Sequence, residues 1–260
     1  MLKLSKISLV GILYPLLVEV YMDNRKIIAM IPARIGSKRL AKKNLALLGD
    51  KPLIYYSLNA AKKSKIFDKI VINSDNEIFN KIAERYNVDF YKRPNELGSS
   101  NTKSDDVIYD FMKKHKSDIL VWVNPIAPLQ TADEIKKIVQ YFVDKNYDSL
   151  ITVKNEKVHC IMNGKPVNYN PKELFSKTQD LTPVQPFVYS IMMWKYDNFI
   201  KNYKKDGYAM LSGKLGFYDV GKMSSIIIKT EDDLRFAEYV LTGLKEKGNY
   251  KIEYDSLVKK

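Results

Sequence analysis

Cysteine and histidine are almost absent from this 260-residue chain: Cys160 stands alone, with only His115 and His159 beside it. One thiol excludes an internal disulfide, and these three side chains are too few for a four-ligand structural zinc site. Such cysteine usage points to a reducing, cytoplasmic setting. No apolar run reaches the roughly 20 residues that a membrane-spanning helix takes, so no membrane partner is expected. Low-complexity tracts and internal repeats are missing as well.

What is present is ordinary for a globular chain. Hydrophobic residues make up 45% and charged residues 28%, which excludes wholesale disorder. The length allows one large α/β domain or two small ones. Lys and Arg number 43 against 30 Asp and Glu, a net charge of +13. Most of that excess lies in scattered pairs such as Lys62-Lys63, Lys113-Lys114 and Lys136-Lys137, on polar helix faces where they serve solubility. Nucleic acid calls for arginines and aromatics clustered on one face. No such stripe exists, since Tyr109, Phe111, Phe142 and Tyr196 fall at core-like spacings. An anionic small molecule is the expected partner.

Residues 1–22 read as an N-terminal extension. Met1 to Lys6 is basic and Ile7 to Val18 apolar, as in a signal peptide, but no small-x-small cleavage site follows and Glu19 interrupts. The expectation is a loosely ordered extension, or a start upstream of the true one at Met22. Residues 23–260 then form a single domain with a hairpin arm around 155–185.

From Lys26 onward, short β-rich runs alternate with amphipathic stretches. The expected fold is α/β: a Rossmann-like, mostly parallel sheet flanked by helices, with a protruding β-hairpin arm. Strands are expected at 27–32, 69–73, 89–91, 119–123, 149–153, 188–194 and, last, Ser225 to Ile228. Helices are expected at 52–63, 77–86, 104–115, 131–144 and 230–244. Thr131 with Glu134 forms a capping box, and Thr230 caps the final helix. Asn163-Gly164 marks a two-residue type I′ hairpin.

The segment IPARIGSKRLAKKN, Ile31 to Asn44, follows the first strand directly. Ligands of open α/β sheets bind at such carboxyl ends. Gly36 offers close backbone approach, Ser37 a hydroxyl, and Arg34, Lys38, Arg39, Lys42 and Lys43 five cations. Such a loop can wrap a triphosphate and stabilise a leaving pyrophosphate. It lacks the GxxxxGK[ST] and GxGxxG spacings. A basic surface turn is the plain alternative.

At these residues the chain resembles the acylneuraminate cytidylyltransferases, the CMP-sialic acid synthetases and their relatives. Their opening motif, I-x-A-R-x-x-S-K-x-x-x-x-K-N, is matched by Ala33, Arg34, Ser37, Lys38, Lys43 and Asn44. The likeness continues through GDKPLIYYSLNAAKKS, VINSDN, KRPNELGSSNTKSDDVI, NPIAPLQTADEI and SKTQDLTPV. It implies that Arg34, Ser37, Lys38 and Lys43 grip the CTP phosphates, with Asn44 near the ribose or phosphates. Arg93 would read the cytosine edge, and Ser99 and Ser100 would contact base or ribose. A substrate oxygen would attack the α-phosphate and expel pyrophosphate, a reaction carried by positioning and charge neutralisation.

Two departures qualify the likeness. The family's last strand ends in D-x-D-T, whose carboxylates hold Mg²⁺; here the stretch is Ile227-Ile228-Lys229-Thr230. The metal ligands are therefore unassigned, and Mg²⁺ is expected to be held mainly by the CTP phosphates. IIIKTEDDLRFAE resembles instead the closing segment of the methylerythritol-phosphate cytidylyltransferases, which implies a phosphate-side, catalytic role for Lys229 with Arg34 and Lys43. In the acceptor pocket, Q-P-T-S-P-L becomes Asn124 to Leu129, an expected arginine is Thr178, and an N-G-A turn becomes Val188-Tyr189-Ser190. Asn124, Lys177, Gln179 and Tyr189 remain as candidate acceptor residues.

The expectation is CMP transfer from CTP to an acidic sugar for surface glycan synthesis. A phosphate- or phosphonate-bearing acceptor and an inactive CTP-binding homologue stand as alternatives. The resemblance also implies a homodimer, since such arms are commonly exchanged between subunits.

Overall fold

The computed structural model describes residues 24–246, 251–255 and 257. The expected N-terminal extension lies outside the described residues. β1 (Ile27–Pro32) has the sequence IIAMIP and is buried along its length, as a central parallel strand requires. Ile27, Ala29 and Ile31 face one layer, Ile28 and Met30 the other.

A short hairpin follows, β2 (Leu47–Leu48) with β3 (Lys51–Pro52), then α1 (Leu53–Ser64). β4 (Lys69–Ser74), α2 (Ile78–Tyr86), β5 (Asp89–Lys92), α3 (Ser104–Lys114) and β6 (Ile119–Val123) continue the alternation. After α4 (Ala132–Asp144) come β7 (Ser149–Val153) and the arm hairpin, β8 (Ile161–Met162) with β9 (Lys165–Pro166). β10 (Phe187–Lys195), α5 (Tyr196–Asp206), β11 (Leu215–Asp219) and α6 (Glu231–Glu246) complete the described elements.

The seven-stranded sheet runs β11-β7-β10-β6-β1-β4-β5. β10 is antiparallel to β6 and β7, while β1/β4, β1/β6, β4/β5 and β7/β11 pair in parallel. The chain leaves β1 toward β4 on one side and returns to β6 on the other. That reversal opens a crevice at the carboxyl ends of β1 and β6.

Helices cover both faces. Ile54, Phe79 and Phe142 of α1, α2 and α4 pack on one side; Phe111 and Phe199 of α3 and α5 pack with Trp194 on the other. A third cluster joins Leu48, Leu53, Ile228 and Ala237, which docks α6 beside β2.

The structure bears out the Rossmann-like α/β reading and corrects three local ones. Residues 225–228 form no strand: the sheet's edge is β11, and the run is apolar because Ile226 and Ile228 pack in the α6 cluster while Ile227 packs against the main core. α5 went unread because Phe199 is its single fully buried residue. Thr131 does accept the Glu134 N–H at 3.2 Å. The Glu134 carboxylate, however, turns away from the cap to accept the Gly221 N–H at 2.7 Å. In the arm, Asn163 and Gly164 have φ of 51° and 75°, as a type I′ turn demands.

Candidate active site

Where β1 ends, the chain is held to its neighbour strand: Ala33 N–H donates to the Asn73 carbonyl at 2.9 Å. Ala33 is wholly buried and supports the loop from below. The loop then turns at Lys42, whose φ of 50° is left-handed, into a single helical turn over Lys43–Leu45. That turn directs Lys43 inward, where its Nζ donates to the Ile228 carbonyl at 3.0 Å. Burial, then Arg39 and Arg34, lower the Lys43 pKa from 10.5 to about 8.

Opposite this loop stands a second wall. Arg93, just past β5, is 4% exposed. Its Nη2 lies 3.6 Å from the Asp75 carboxylate, and burial lowers its pKa. The Asn95–Gly98 turn leads on to Ser99, whose carbonyl accepts Arg34 Nη1 at 3.4 Å. Ser99 and Thr102 hydroxyls sit 3.0 Å apart. The N-terminus of α3 and the end of β6 close the space.

Between these walls lies a cavity of about 590 Å³. Arg34, Ser37, Lys38, Arg39, Lys43, Asn44, Arg93, Ser99, Ser100 and Asn124 all line it. Ten residues singled out in the sequence, from three separate segments, thus come together. Four cations gather on one side, and the lining contains no carboxylate.

The remaining candidates lie elsewhere. A Cβ on Gly36 would meet nothing within 4 Å, so the fold itself does not demand glycine there. Lys229 is exposed outside the lining, although its charge acts on Lys43. Its N–H is held by the Asp233 carboxylate at 2.8 Å. Lys177 and Gln179 are exposed on the arm, where the Gln179 carbonyl accepts Lys157 Nζ. Tyr189 adopts φ of 59° at an irregularity in β10, and its carbonyl accepts Asn124 Nδ2 at 3.1 Å. A tyrosine thus keeps a conformation that glycine takes more easily, a strain typical of functional sites.

Sequence reasoning missed Trp122, Ile126, Val107, Leu97 and Asp75. Trp122 was within reach, because it lies two residues before Asn124 on β6 and shares its face. Asp75 carried no local signal beyond an acid directly after a buried strand.

The fold and this cationic crevice define a nucleotide-handling α/β protein. A family model of cytidylyltransferases matches residues 28–234, and the chain belongs to that family. It is 30% identical over 243 residues to the N-acylneuraminate cytidylyltransferase of Escherichia coli O18:K1:H7 (strain RS218 / NMEC), covering 88% of this chain and 54% of that protein. The chain therefore spans about half the length of that relative. With the Post-translational flagellin modification protein B of Campylobacter coli it shares 28% identity over 234 residues, 83% of this chain and 95% of the other. Among solved structures, a CMP:2-keto-3-deoxy-manno-octonic acid synthetase complexed with CTP superposes with a TM-score of 0.65 at 14% identity, covering 84% and 98% of the two chains.

Proposed function

We propose that the chain transfers CMP from CTP to an acidic sugar, of the sialic-acid or another keto-sugar-acid kind, and releases pyrophosphate. The observation that carries this reading is the cavity with cations along one wall and buried Arg93 on the other. Its roughly 590 Å³ suit a nucleotide with part of an acceptor. Arg34, Lys38 and Lys43 would neutralise the triphosphate, with Ser37, Asn44 and the Gly36 backbone donating to its oxygens. Arg93 would meet the base, and Ser99 and Ser100 the base or ribose. The acceptor hydroxyl attacks the α-phosphorus, the bond to the β-phosphate breaks, pyrophosphate leaves and the hydroxyl proton passes to solvent. The name of the Escherichia coli relative supports an acylneuraminate-like acceptor.

Mg²⁺ fits this site only on the nucleotide. A hard cation takes oxygen ligands, and neither a carboxylate in the lining nor a metal-competent acidic cluster occurs among the described residues. The exposed arm bearing Lys177 and Gln179 suits a homodimer in which it reaches a second copy's acceptor side. A cytoplasmic enzyme is consistent with the lone cysteine and with the lack, among the described residues, of any helix able to cross a membrane.

A phosphate- or phosphonate-bearing acceptor is the second reading. The closing segment IIIKTEDDLRFAE supports it, because its Lys229 carries a charge that acts on Lys43 beside the cavity and would pair with an anionic acceptor. The test is pyrophosphate release from CTP and Mg²⁺ with a panel of keto-sugar acids and phosphomonoesters. Release with a sugar acid is the expected result. Silence with every acceptor, alongside retained CTP binding, would show a binding protein without catalysis.

A further inference from the structure

We propose that Asp75 is a positioning residue that locks the base-reading arginine to the phosphate loop and thereby sets the preference for cytosine over uracil. The inference rests on the CTP reading above. Asp75 follows β4 directly and its side chain is 13% exposed. Its Oδ1 accepts the Ile35 N–H at 3.2 Å and lies 3.6 Å from Arg93 Nη2. From the other side Gly98 presses on it: a Cβ there would sit 2.5 Å from Oδ2 and 2.6 Å from the Asp75 Cβ. One carboxylate therefore touches the phosphate loop, the buried arginine and the turn that leads to Ser99.

The chemistry of Arg93 makes that contact matter. A guanidinium only donates, and its fork is planar and rigid. Cytosine offers two neighbouring acceptors, O2 and N3, on its pairing edge, whereas uracil bears a proton on N3. A donor fork held at a fixed angle distinguishes the two; a fork free to swing finds a uracil carbonyl instead. Among the described residues Arg93 Nε has no hydrogen-bond partner and Asp75 supplies the one ion pair of this arginine.

The experiment compares kcat/KM for CTP and for UTP, or nucleotide Kd values, in three forms of the full chain. Asp75→Asn keeps an acceptor for the Ile35 N–H and removes the charge on Arg93. It is expected to lower CTP use by about tenfold or more and UTP use much less, narrowing the CTP/UTP ratio by about tenfold. Gly98→Ala keeps the carboxylate but displaces it and is expected to narrow the same ratio, which settles the matter even if Asp75→Asn folds poorly. Equal losses for both nucleotides, or an unchanged ratio in both variants, overturn the proposal. A wild-type chain that takes up no CTP at all overturns the functional reading first, and this inference with it.

Discussion

Lys43→Met separates the demands of the site from those of the fold. Lys43 is largely buried, and its pKa falls from 10.5 to about 8. Keeping the ammonium charged at pH 7 therefore costs the folded state at most about 3 kcal/mol, less after screening by water at the cavity mouth. Methionine retains the unbranched stem and removes the charge. It also forfeits the bond to the Ile228 carbonyl, roughly 1 kcal/mol. The net expectation is a gain of about 1–2 kcal/mol, a rise in Tm of a few degrees for a domain of this size. The sign is fixed by linkage. Between pH 8 and 10.5 the unfolded chain holds a proton at this lysine that the folded chain has lost, so wild-type stability rises with pH there. The variant's advantage is then largest below pH 8 and fades above it. Differential scanning calorimetry of both proteins from pH 7 to 10, beside a pyrophosphate assay, checks each part. A variant that is less stable than wild type, or that turns over CTP normally, refutes the reasoning.

Other consequences follow from the same geometry. Loss of the Lys43 charge should raise KM for CTP as pH passes about 8, while a profile flat to pH 9.5 would put that lysine outside the phosphate contacts. Asp233 accepts both the Lys229 and Thr230 N–H groups at 2.8 Å. Asp233→Ala should therefore cost about 1 kcal/mol as the lost carboxylate that reaches back to the Thr230 cap, read as a fall in Tm, and should also weaken CTP binding by loosening the Ile228 carbonyl. Titrating Mg²⁺ into the protein without nucleotide should give no saturable heat, and a stoichiometric site would show that carboxylates outside the cavity gather around the ion.

The sheet was legible because its central strands are buried on both faces. IIAMIP and ILVWV are continuous apolar runs, and the helices between them carry clear stripes. β11 was not, since an edge strand of sequence LGFYD leaves Phe217 38% exposed and shows no run to read. The Ile226 to Ile228 run misled in the opposite direction, because β-branched residues bridging a helix-docking cluster and the main core look like a buried strand. Within the site, the loop from Arg34 to Asn44 was legible from its packed cations. Asp75 acquires its meaning from neighbours far away in sequence, Ile35 and Arg93, whereas Trp122 stands two residues from Asn124 and shares the cavity lining with Val107 of a separate segment. Lys177 and Gln179 show the reverse limit: a motif locates residues along the chain, and here both are exposed outside the cavity lining.

Calorimetric titration of CTP into the folded chain, with magnesium present and UTP as the comparator, tests the central claim most directly. The account requires one saturable site per chain for CTP, weaker uptake of UTP, and loss of the CTP heat in Lys43→Met. No heat with CTP, or equal binding of both nucleotides by wild type and variant, would contradict it.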